Sequence, residues 1–351
     1  MQSLNQNIRS RIVRFVLVFA LLAAALSAFA EQGHFEAGLT LYRKGDCRQA
    51  LDEFGVSEKA GEERPARGFY QGVCLAKLGD LSAASTRLLA HVSAQGADAR
   101  GWQWLSRVQL LQKHFADARA SAQRAIDLDP RSSEAYRTLG EIELELRNND
   151  AAYRAWIAAN KLNPRDPLTT YYLGRLFFEA DFPNEAAAWL RDTLRLDPTH
   201  FGGMTYLGLC AEHLGDNDTA TRLYREAIRQ SKLQHAPFAW AYLSYARLLR
   251  QQGNDGEALV ILEECEELCP EAHALALLGQ LLAAQHQTAR AEAMLRHAIQ
   301  IDPGVSEAHY RLSIILRASG RTEEAQSEIK VFEETKKAEE RVRNRISAIR
   351  K

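Results

Sequence analysis

Residues 135–164 read AYRTLGEIELELRNNDAAYRAWIAANKLNP, and the spacing inside this stretch decides the fold. Gly140 precedes Ala152 by twelve residues, Trp156 follows the alanine by four, and Pro164 follows it by twelve. Glycine weakens a helix, so we expect Gly140 where the two helices approach closely, in contact with the small Ala152 of the second helix. Proline cannot continue a helix. The stretch therefore predicts two helices joined by a turn, with the second ending before Pro164.

The same spacing recurs along the chain. Eight further alanines take the place of Ala152: Ala50, Ala84, Ala118, Ala186, Ala220, Ala258, Ala291 and Ala325. The first six of the nine alanines are 34 residues apart, and the later steps are 38, 33 and 34. A small residue stands twelve positions before each alanine, and a mostly bulky apolar residue four positions after it. A fixed period in this range marks a repeat architecture.

This pattern resembles the tetratricopeptide repeat family, and the resemblance covers nearly all of residues 31–333. It implies an all-α solenoid of about nine helix–turn–helix repeats in a right-handed superhelix, with a concave groove lined by the first helices. The departures from the family pattern are local. The first repeat lacks the closing proline, while Gly96 and Lys232 replace it in repeats two and six. Repeat seven begins four residues late, which predicts a longer connection at Gln230–Pro237.

The first thirty residues have the pattern of a secretory signal peptide. Arg9, Arg11 and Arg14 precede an apolar run from Phe15 to Leu26, and Ala28–Ala30 offers a small-x-small cleavage site. The alternative is an uncleaved anchor at residues 12–30, which are almost enough to cross a bilayer. In both cases the positive residues stay inside. We therefore expect a periplasmic or extracellular repeat array at 31–333, or one anchored to the membrane.

A basic amphipathic helix is predicted for residues 334–351. Apolar residues recur there at helical spacing among lysines and arginines. A solenoid needs a cap over its last repeat, and this helix is the candidate. The alternative is a helix that lies on an anionic membrane surface.

Export would place the five cysteines in an oxidising compartment, where thiols pair to form disulfides. Cys47 is expected at the start of the second helix of repeat one, and Cys74 near the end of the next helix. Antiparallel packing would bring them together, so they are a candidate disulfide; the alternative is that both are small packing residues. Cys265 and Cys269 are four residues apart at a helix end, which is poor geometry for a bond while the helix persists.

Composition and motifs argue against several classes of function. The formal net charge is −1, which gives no global reason to expect nucleic acid or acidic membrane as partners. The ten histidines do not form a metal-ligand pair on one helix, and a nucleophile with its base is not found. We therefore expect neither an enzyme nor a bound metal or cofactor, and a membrane partner only if residues 1–30 are not cleaved.

The groove that the resemblance implies carries arginines interleaved with aromatic residues. The candidates are Tyr70, Trp104, Arg107, Tyr171, Tyr172, Arg175, Tyr206, Arg247, Arg250, Tyr310 and Arg311. Arg107, Arg175 and Arg247 recur at the same position of the repeat, directly after the small residue. Such a surface suits an extended peptide with acidic groups. Two alternatives stay open: arginines on solvated helix faces are ordinary, and some of the rings must pack against adjacent helices.

These expectations combine into a scaffold or adaptor that binds protein or peptide segments at the cell envelope. One alternative is a membrane-anchored assembly factor, in which the leader is retained. The other is a regulatory repeat subunit of an enzyme whose catalytic part is a separate polypeptide.

Overall fold

The computed structural model describes residues 33–349, with side chains described as far as residue 337. The predicted signal peptide at 1–30 and the alternative anchor at 12–30 lie outside the described residues. Within residues 33–349, no helix is both long and apolar enough to cross a membrane.

Eighteen α-helices and no strands make up the described residues, as the all-α prediction requires. They are α1 His34–Arg43, α2 Cys47–Lys59, α3 Arg67–Lys77, α4 Leu81–Ala94, α5 Ala99–Leu111, α6 Phe115–Leu128, α7 Ser133–Glu145, α8 Asn149–Leu162, α9 Pro167–Glu179, α10 Pro183–Leu196, α11 Phe201–His213, α12 Asn217–Leu233, α13 Ala239–Gln251, α14 Asp255–Leu268, α15 Ala272–Ala284, α16 Thr288–Ile301, α17 Ser306–Ala318 and α18 Thr322–Ile349. The odd-numbered helices are the first helices of nine repeats, and the even-numbered helices are the second. The predicted helix–turn–helix repeats are therefore confirmed.

The chain divides into two compact units, the first ending at Pro164 and the second beginning at Arg165. The first contains α1–α8, and the second contains α9–α18. Inside each unit the two helices of a repeat pack together, and the second helix also packs against the first helix of the next repeat. First helices of successive repeats touch as well, so each unit presents a surface made of first helices. The right-handed superhelix stays a prediction.

The repeating alanine and the small residue before it both lie in the core. Eight of the nine alanines are completely buried, and Ala325 is 1% exposed. We expected the small residue to contact the alanine, but its main neighbour is the bulky residue four positions later. A Cβ added to Gly140 would lie 2.5 Å from Cδ1 of Trp156, and one added to Gly72 would lie 2.6 Å from Cγ of Leu88. The glycines therefore make room chiefly for these side chains.

The turn inside each repeat uses a residue with positive φ. The five turn glycines, Gly45, Gly79, Gly215, Gly253 and Gly320, have φ between +77° and +87°. This is the conformation for which glycine is favoured. The remaining four repeats place Lys113, Arg147, Asp181 and His286 in the same region, with φ between +61° and +69°. One turn geometry therefore serves every repeat, whether or not the residue is glycine.

The insertion between repeats six and seven is partly helical. Helix α12 has 17 residues and continues to Leu233, so the predicted connection at Gln230–Pro237 begins inside this helix. The chain leaves the helix through His235, whose φ is +52°. Gln234 donates a hydrogen bond to the carbonyl oxygen of Thr199 at 2.8 Å, which ties the connection to the start of α11.

The C-terminal segment differs from the separate helix predicted at 334–351. Helix α18 runs without interruption from Thr322 to Ile349, so residues 334–349 continue the second helix of repeat nine. The helical prediction is correct, but no element boundary exists at residue 334. Because side chains beyond residue 337 lie outside the description, the capping role stays a prediction.

Candidate functional site

A pocket of about 390 Å³ opens on three successive first helices of the second unit: α13, α15 and α17. The polar residues that line it are Arg247, Arg250, Gln251, His273, Gln280, Glu307 and Arg311. Ala276, Leu277 and Val305 supply its apolar lining. Three of the predicted groove residues, Arg247, Arg250 and Arg311, therefore come together in one place.

Helical spacing explains why two arginines of α13 share the pocket. Arg247 and Arg250 are three residues apart and exposed, whereas Ala246, Leu248 and Leu249 are buried in the core. Residues three or four apart lie on the same helix face. Core packing of the apolar residues therefore orients both guanidinium groups toward the surface of first helices.

The hydrogen bonds in the pocket leave its positive charge largely uncompensated. Arg311 donates from Nε to Oε1 of Glu307 at 2.6 Å, and Arg250 donates from Nη1 to the neutral Oε1 of Gln280 at 2.8 Å. Arg247 makes no ion pair or hydrogen bond within the described residues. Glu307 is the one carboxylate among the lining residues, compared with the three guanidinium groups of Arg247, Arg250 and Arg311.

His273 adds a charge that depends on pH. A hydrogen bond between its Nδ1 and Oε1 of Glu271, at 2.9 Å, raises the pKa of the imidazole; burial, Arg247 and Asp302 act on it more weakly. Because the pKa is raised, the ring carries its positive charge over a wider pH range and loses it as pH rises through the folded-state pKa. Lowering the pH therefore makes the pocket more attractive to anions.

Arg175 has a different environment from Arg247, although both occupy the same position of the repeat. It donates from Nε to Oε1 of Glu179 at 2.7 Å, one helical turn away in α9. Tyr171 lies beside it, and the ring of Tyr171 is 5.8 Å from that of Tyr206, which is 9% exposed. Burial raises the pKa of both phenols, so both hydroxyls stay neutral. This cluster is an ion pair packed among rings, not a free cation.

The other aromatic candidates divide between packing and exposure. The ring of Tyr172 is 5.4 Å from that of Tyr171, and the ring of Tyr310 is 5.2 Å from that of Phe332. Tyr310 remains 40% exposed. Tyr70 is half-buried and packs among the rings of Phe35, Tyr42, Phe54 and Phe69, and its place in a binding groove stays a prediction.

In the first unit, Trp104 and Arg107 lie on α5. The guanidinium carbon of Arg107 is 6.0 Å from the centre of the Trp104 ring, at the outer limit of a cation–π contact. Arg107 is exposed and has no ion pair within the described residues. These two residues form a smaller basic and aromatic surface of their own.

Seven of the ten residues that line the pocket were missed by the sequence analysis, and Gln280 and His273 show two reasons for this. Gln280 occupies the same repeat position as Arg247, directly after the small residue, and that signal was available in the sequence. His273 lies close to the start of α15, where the repeat pattern gives no indication of groove position. Among the described residues, no group of three or more His, Cys, Asp or Glu side chains could hold a metal ion.

Cys47 and Cys74 lie together in the core of the first two repeats. Cys47 begins α2 and is 5% exposed, and Cys74 is completely buried in α3. Burial raises the pKa of the Cys74 thiol to about 12, and the adjacent Cys47 thiol contributes to this shift. Both are free thiols in the structure, so the disulfide stays a prediction.

Oxidation of the purified chain is expected to join Cys47 to Cys74 and to remove the two titratable thiols of the first unit. A cross-link between residues 27 apart stabilises by about 3–4 kcal/mol in the loop-entropy model. Peptide mapping and thermal unfolding, with and without reductant, measure both effects. In a Cys47→Ala/Cys74→Ala variant, unfolding of the first unit should not depend on reductant; finding both wild-type thiols free after oxidation would contradict the pairing.

Models described as tetratricopeptide repeat match residues 105–167, 137–201, 171–235 and 282–344. The chain belongs to the tetratricopeptide repeat family. Its matched segments include α15 residues 282–284 and all of α16 and α17, at one side of the pocket.

One curated relative is Cellulose synthase 2 operon protein C of Komagataeibacter xylinus, which is 29% identical over 240 residues. The alignment includes 62% of this chain but only 18% of that protein, so the chain spans less than a fifth of the relative's length.

Solved structures of tetratricopeptide repeat proteins share the fold. A tetratricopeptide repeat protein from Parabacteroides merdae has a TM-score of 0.57 and 17% identity, covering 72% of this chain and 98% of that one. The Cut9–Hcn1 hetero-tetramer of the APC/C gives a TM-score of 0.62 and 16% identity, covering 81% and 55%. PilF of Pseudomonas aeruginosa gives 0.51 and 18%, covering 61% and 96%. At these identities the likeness concerns the fold alone.

Proposed function

We propose that this protein-interaction scaffold binds an acidic segment of a partner protein in the pocket of α13, α15 and α17. The observation that carries the proposal is the excess of guanidinium groups over carboxylates in a pocket of about 390 Å³. Several cations held close together repel one another, and an anionic ligand relieves this repulsion. The arginine fork is also suited to bidentate contact with a carboxylate.

The pocket favours a peptide whose acidic group is accompanied by an apolar side chain. Leu277 is 8% exposed, Ala276 2% and Val305 3%, so the apolar lining is shallow and well packed. An acidic side chain or terminal carboxylate would meet Arg247 and Arg250, while a neighbouring apolar side chain would cover this lining. Charge sets the specificity in this arrangement, and apolar contact adds affinity.

The place of action that we propose is the cell envelope, where the protein acts as an adaptor or assembly factor. The support is the charge and apolar pattern of residues 1–30, which fits a secretory signal. Mass spectrometry of the protein from its native cells distinguishes two forms. Loss of the first thirty residues supports the exported soluble form; their retention supports the membrane-anchored assembly factor.

A second candidate is a repeat subunit that works with a separate enzyme. It is favoured by the similarity to Cellulose synthase 2 operon protein C, whose name places it in an operon with a synthase. Co-purification with a catalytic polypeptide from native cells, and a change in its rate when this chain is removed, would support it. An unchanged rate would count against it.

The binding proposal is tested with fluorescent peptides that differ only in charge. A peptide with two glutamates beside a leucine is compared with the same peptide carrying glutamines, by fluorescence anisotropy. One lost charge-assisted contact is worth about 1.5–3 kcal/mol, so the glutamine peptide should bind at least about tenfold more weakly. The difference should shrink at high salt and grow as pH falls, because His273 gains charge. Equal affinity for the two peptides would refute the proposal.

A further inference from the structure

Two cysteines at the end of α14 are in contact although they are not bonded. Helix α14 ends at Leu268, and Cys269 follows it with φ −157° and ψ 63°, outside the helical region. Its Sγ lies 3.8 Å from Sγ of Cys265. The poor geometry expected for this pair assumed that the helix persists through both residues. It ends one residue too early for that, and the second thiol turns back onto the first.

The pair is asymmetric in access. Cys265 is completely buried within the core of the second unit, and Cys269 is partly exposed. A reagent from solvent therefore reaches Cys269 first. Cys210, a single thiol elsewhere in the chain, is completely buried and offers an internal comparison.

The pair is asymmetric in charge as well. The hydrogen bond from the Cys265 thiol lowers the pKa of Cys269, and the same contact, together with burial, raises the pKa of Cys265. The first proton lost from the pair therefore leaves Cys269. A thiolate is the reacting form in disulfide exchange, and one that is accessible and hydrogen-bonded is suited to attack.

We propose that Cys265 and Cys269 form a thiol–disulfide exchange site, in which Cys269 attacks and Cys265 resolves. The thiolate of Cys269 attacks one sulfur of a disulfide R–S–S–R, a new S–S bond forms, and one R–S⁻ leaves. Cys265 then loses its proton to solvent and attacks Sγ of Cys269 in the mixed disulfide, releasing the second R–S⁻. Two thiols of the protein are oxidised and one external disulfide is reduced to two thiols, so atoms and electrons balance.

The backbone permits the bond with a small movement. The backbone N–H of Cys269 still donates to the carbonyl oxygen of Cys265 at 2.9 Å, so the two Cα atoms stay about one turn apart. One turn is about 6 Å, within the range of about 4.4–6.8 Å that disulfides span between Cα atoms. The sulfur atoms must approach from 3.8 Å to about 2 Å. Because Cys269 has already left the helix, its own torsions supply this movement and the ladder of α14 stays intact.

The closed pair would fix the path of the chain into α15. Cys269 and Pro270 are followed by Glu271, whose carboxylate accepts a hydrogen bond from the backbone N–H of Ala274 at 2.8 Å and so caps α15. The proposal is independent of the peptide-binding function, because it concerns only the reactivity of the two sulfurs.

Oxidised glutathione is the probe for the test, used on the reduced full chain, with peptide mapping of every cysteine by mass spectrometry. The wild type is expected to form the Cys265–Cys269 disulfide and to retain no glutathione on this pair. Cys265→Ser should trap a mixed disulfide on Cys269, because the resolving thiol is missing. Cys269→Ser should leave Cys265 unmodified. Cys210, the buried comparison thiol, should stay unmodified in every variant.

Each other outcome overturns the proposal. Glutathione retained on wild-type Cys269 would show that Cys265 does not resolve, and equal modification of Cys265 in Cys269→Ser would show that the order of reaction is wrong. If Cys265 and Cys269 both remained free thiols after an accessible reference thiol had reacted completely, the proposed exchange site would be refuted. Circular dichroism confirms that each variant is folded, and the wild-type result stands even if a variant is not.

Discussion

Gly140→Ser is expected to destabilise the first unit by about 3 kcal/mol, at the upper end of the cost of overpacking a core. A Cβ at this position would lie 2.5 Å from Cδ1 of Trp156, which is completely buried. The indole cannot move aside easily, because its Nε1 donates a hydrogen bond to the carbonyl oxygen of Arg137 at 3.2 Å. The clash therefore falls on a ring that is fixed by both packing and hydrogen bonding.

Gly55→Ser is the matched control. Gly55 lies inside helix α2, and a Cβ added there would meet nothing within 4 Å. The same chemical change should then be neutral or slightly stabilising, because serine has a higher helix propensity than glycine. Thermal unfolding followed by circular dichroism compares the two variants. Equal unfolding midpoints for Gly140→Ser and Gly55→Ser would contradict the packing argument.

A second variant tests whether the small residue before the alanine and the bulky residue after it compensate for each other in size. Repeat three carries Ser106 where repeat four has Gly140, and Ala122 where repeat four has Trp156. Trp156→Ala alone should cost about 3–5 kcal/mol through loss of a buried ring. Gly140→Ser/Trp156→Ala should cost less than the sum of the two single changes, because the serine then occupies part of the cavity. Hydrogen exchange localises the effect to α7 and α8, since each repeat depends mainly on its neighbours.

The repeat register was predictable because it depends on spacing and residue size alone. The spacing between Ala152 and the small residue before it recurs nine times and the closing proline five times, so the helix pairs followed from the sequence. The main partner of the small residue was predicted wrongly. The pair Ser106 and Ala122 could have indicated the correct partner. Where most repeats have a bulky apolar residue four positions after the alanine, repeat three has Ala122, and the residue that faces it is Ser106 instead of glycine.

The candidate site was predictable only in part. Repeat position placed Arg247 on the surface made by first helices, and the same position placed Arg175 in an ion pair with Glu179. Spacing gives the direction of a side chain but not its neighbours, which depend on the adjacent helices and on the residue one turn further along. His273 illustrates the same limit, because its role depends on Glu271 and on the approach of Arg247 from another helix.

The structure also divides the arginine series predicted from the sequence. Arg107 belongs to the first unit, and Arg175 and Arg247 belong to the second. Since Arg175 is paired with Glu179, replacing it would disturb a local ion pair as well as any ligand contact. A decisive charge-reversal experiment therefore uses the arginines that line the pocket and lack a carboxylate partner.

Arg247→Glu/Arg250→Glu is expected to weaken binding of the acidic peptide by at least about a hundredfold, since two charge-assisted contacts of about 1.5 kcal/mol or more are lost and replaced by repulsion. Both side chains are exposed, and neither pairs with a carboxylate within the described residues, so helical content should not change. Fluorescence anisotropy measures the affinity, and circular dichroism checks the fold. Arg247→Lys/Arg250→Lys should retain part of the affinity, because lysine keeps the charge but not the bidentate fork.

Arg154→Glu/Arg195→Glu is the control for net charge, because it changes the charge of the protein by the same amount on two second helices, α8 and α10. Both of its arginines are exposed, and neither is among the residues that line the pocket. A purely long-range effect of charge would weaken binding equally in the two double variants, whereas direct contact in the pocket weakens it only in Arg247→Glu/Arg250→Glu. If that variant bound the acidic peptide as the wild type does, the binding surface would have to lie elsewhere. Trp104 and Arg107 on α5 would then be the next exposed basic surface to reverse.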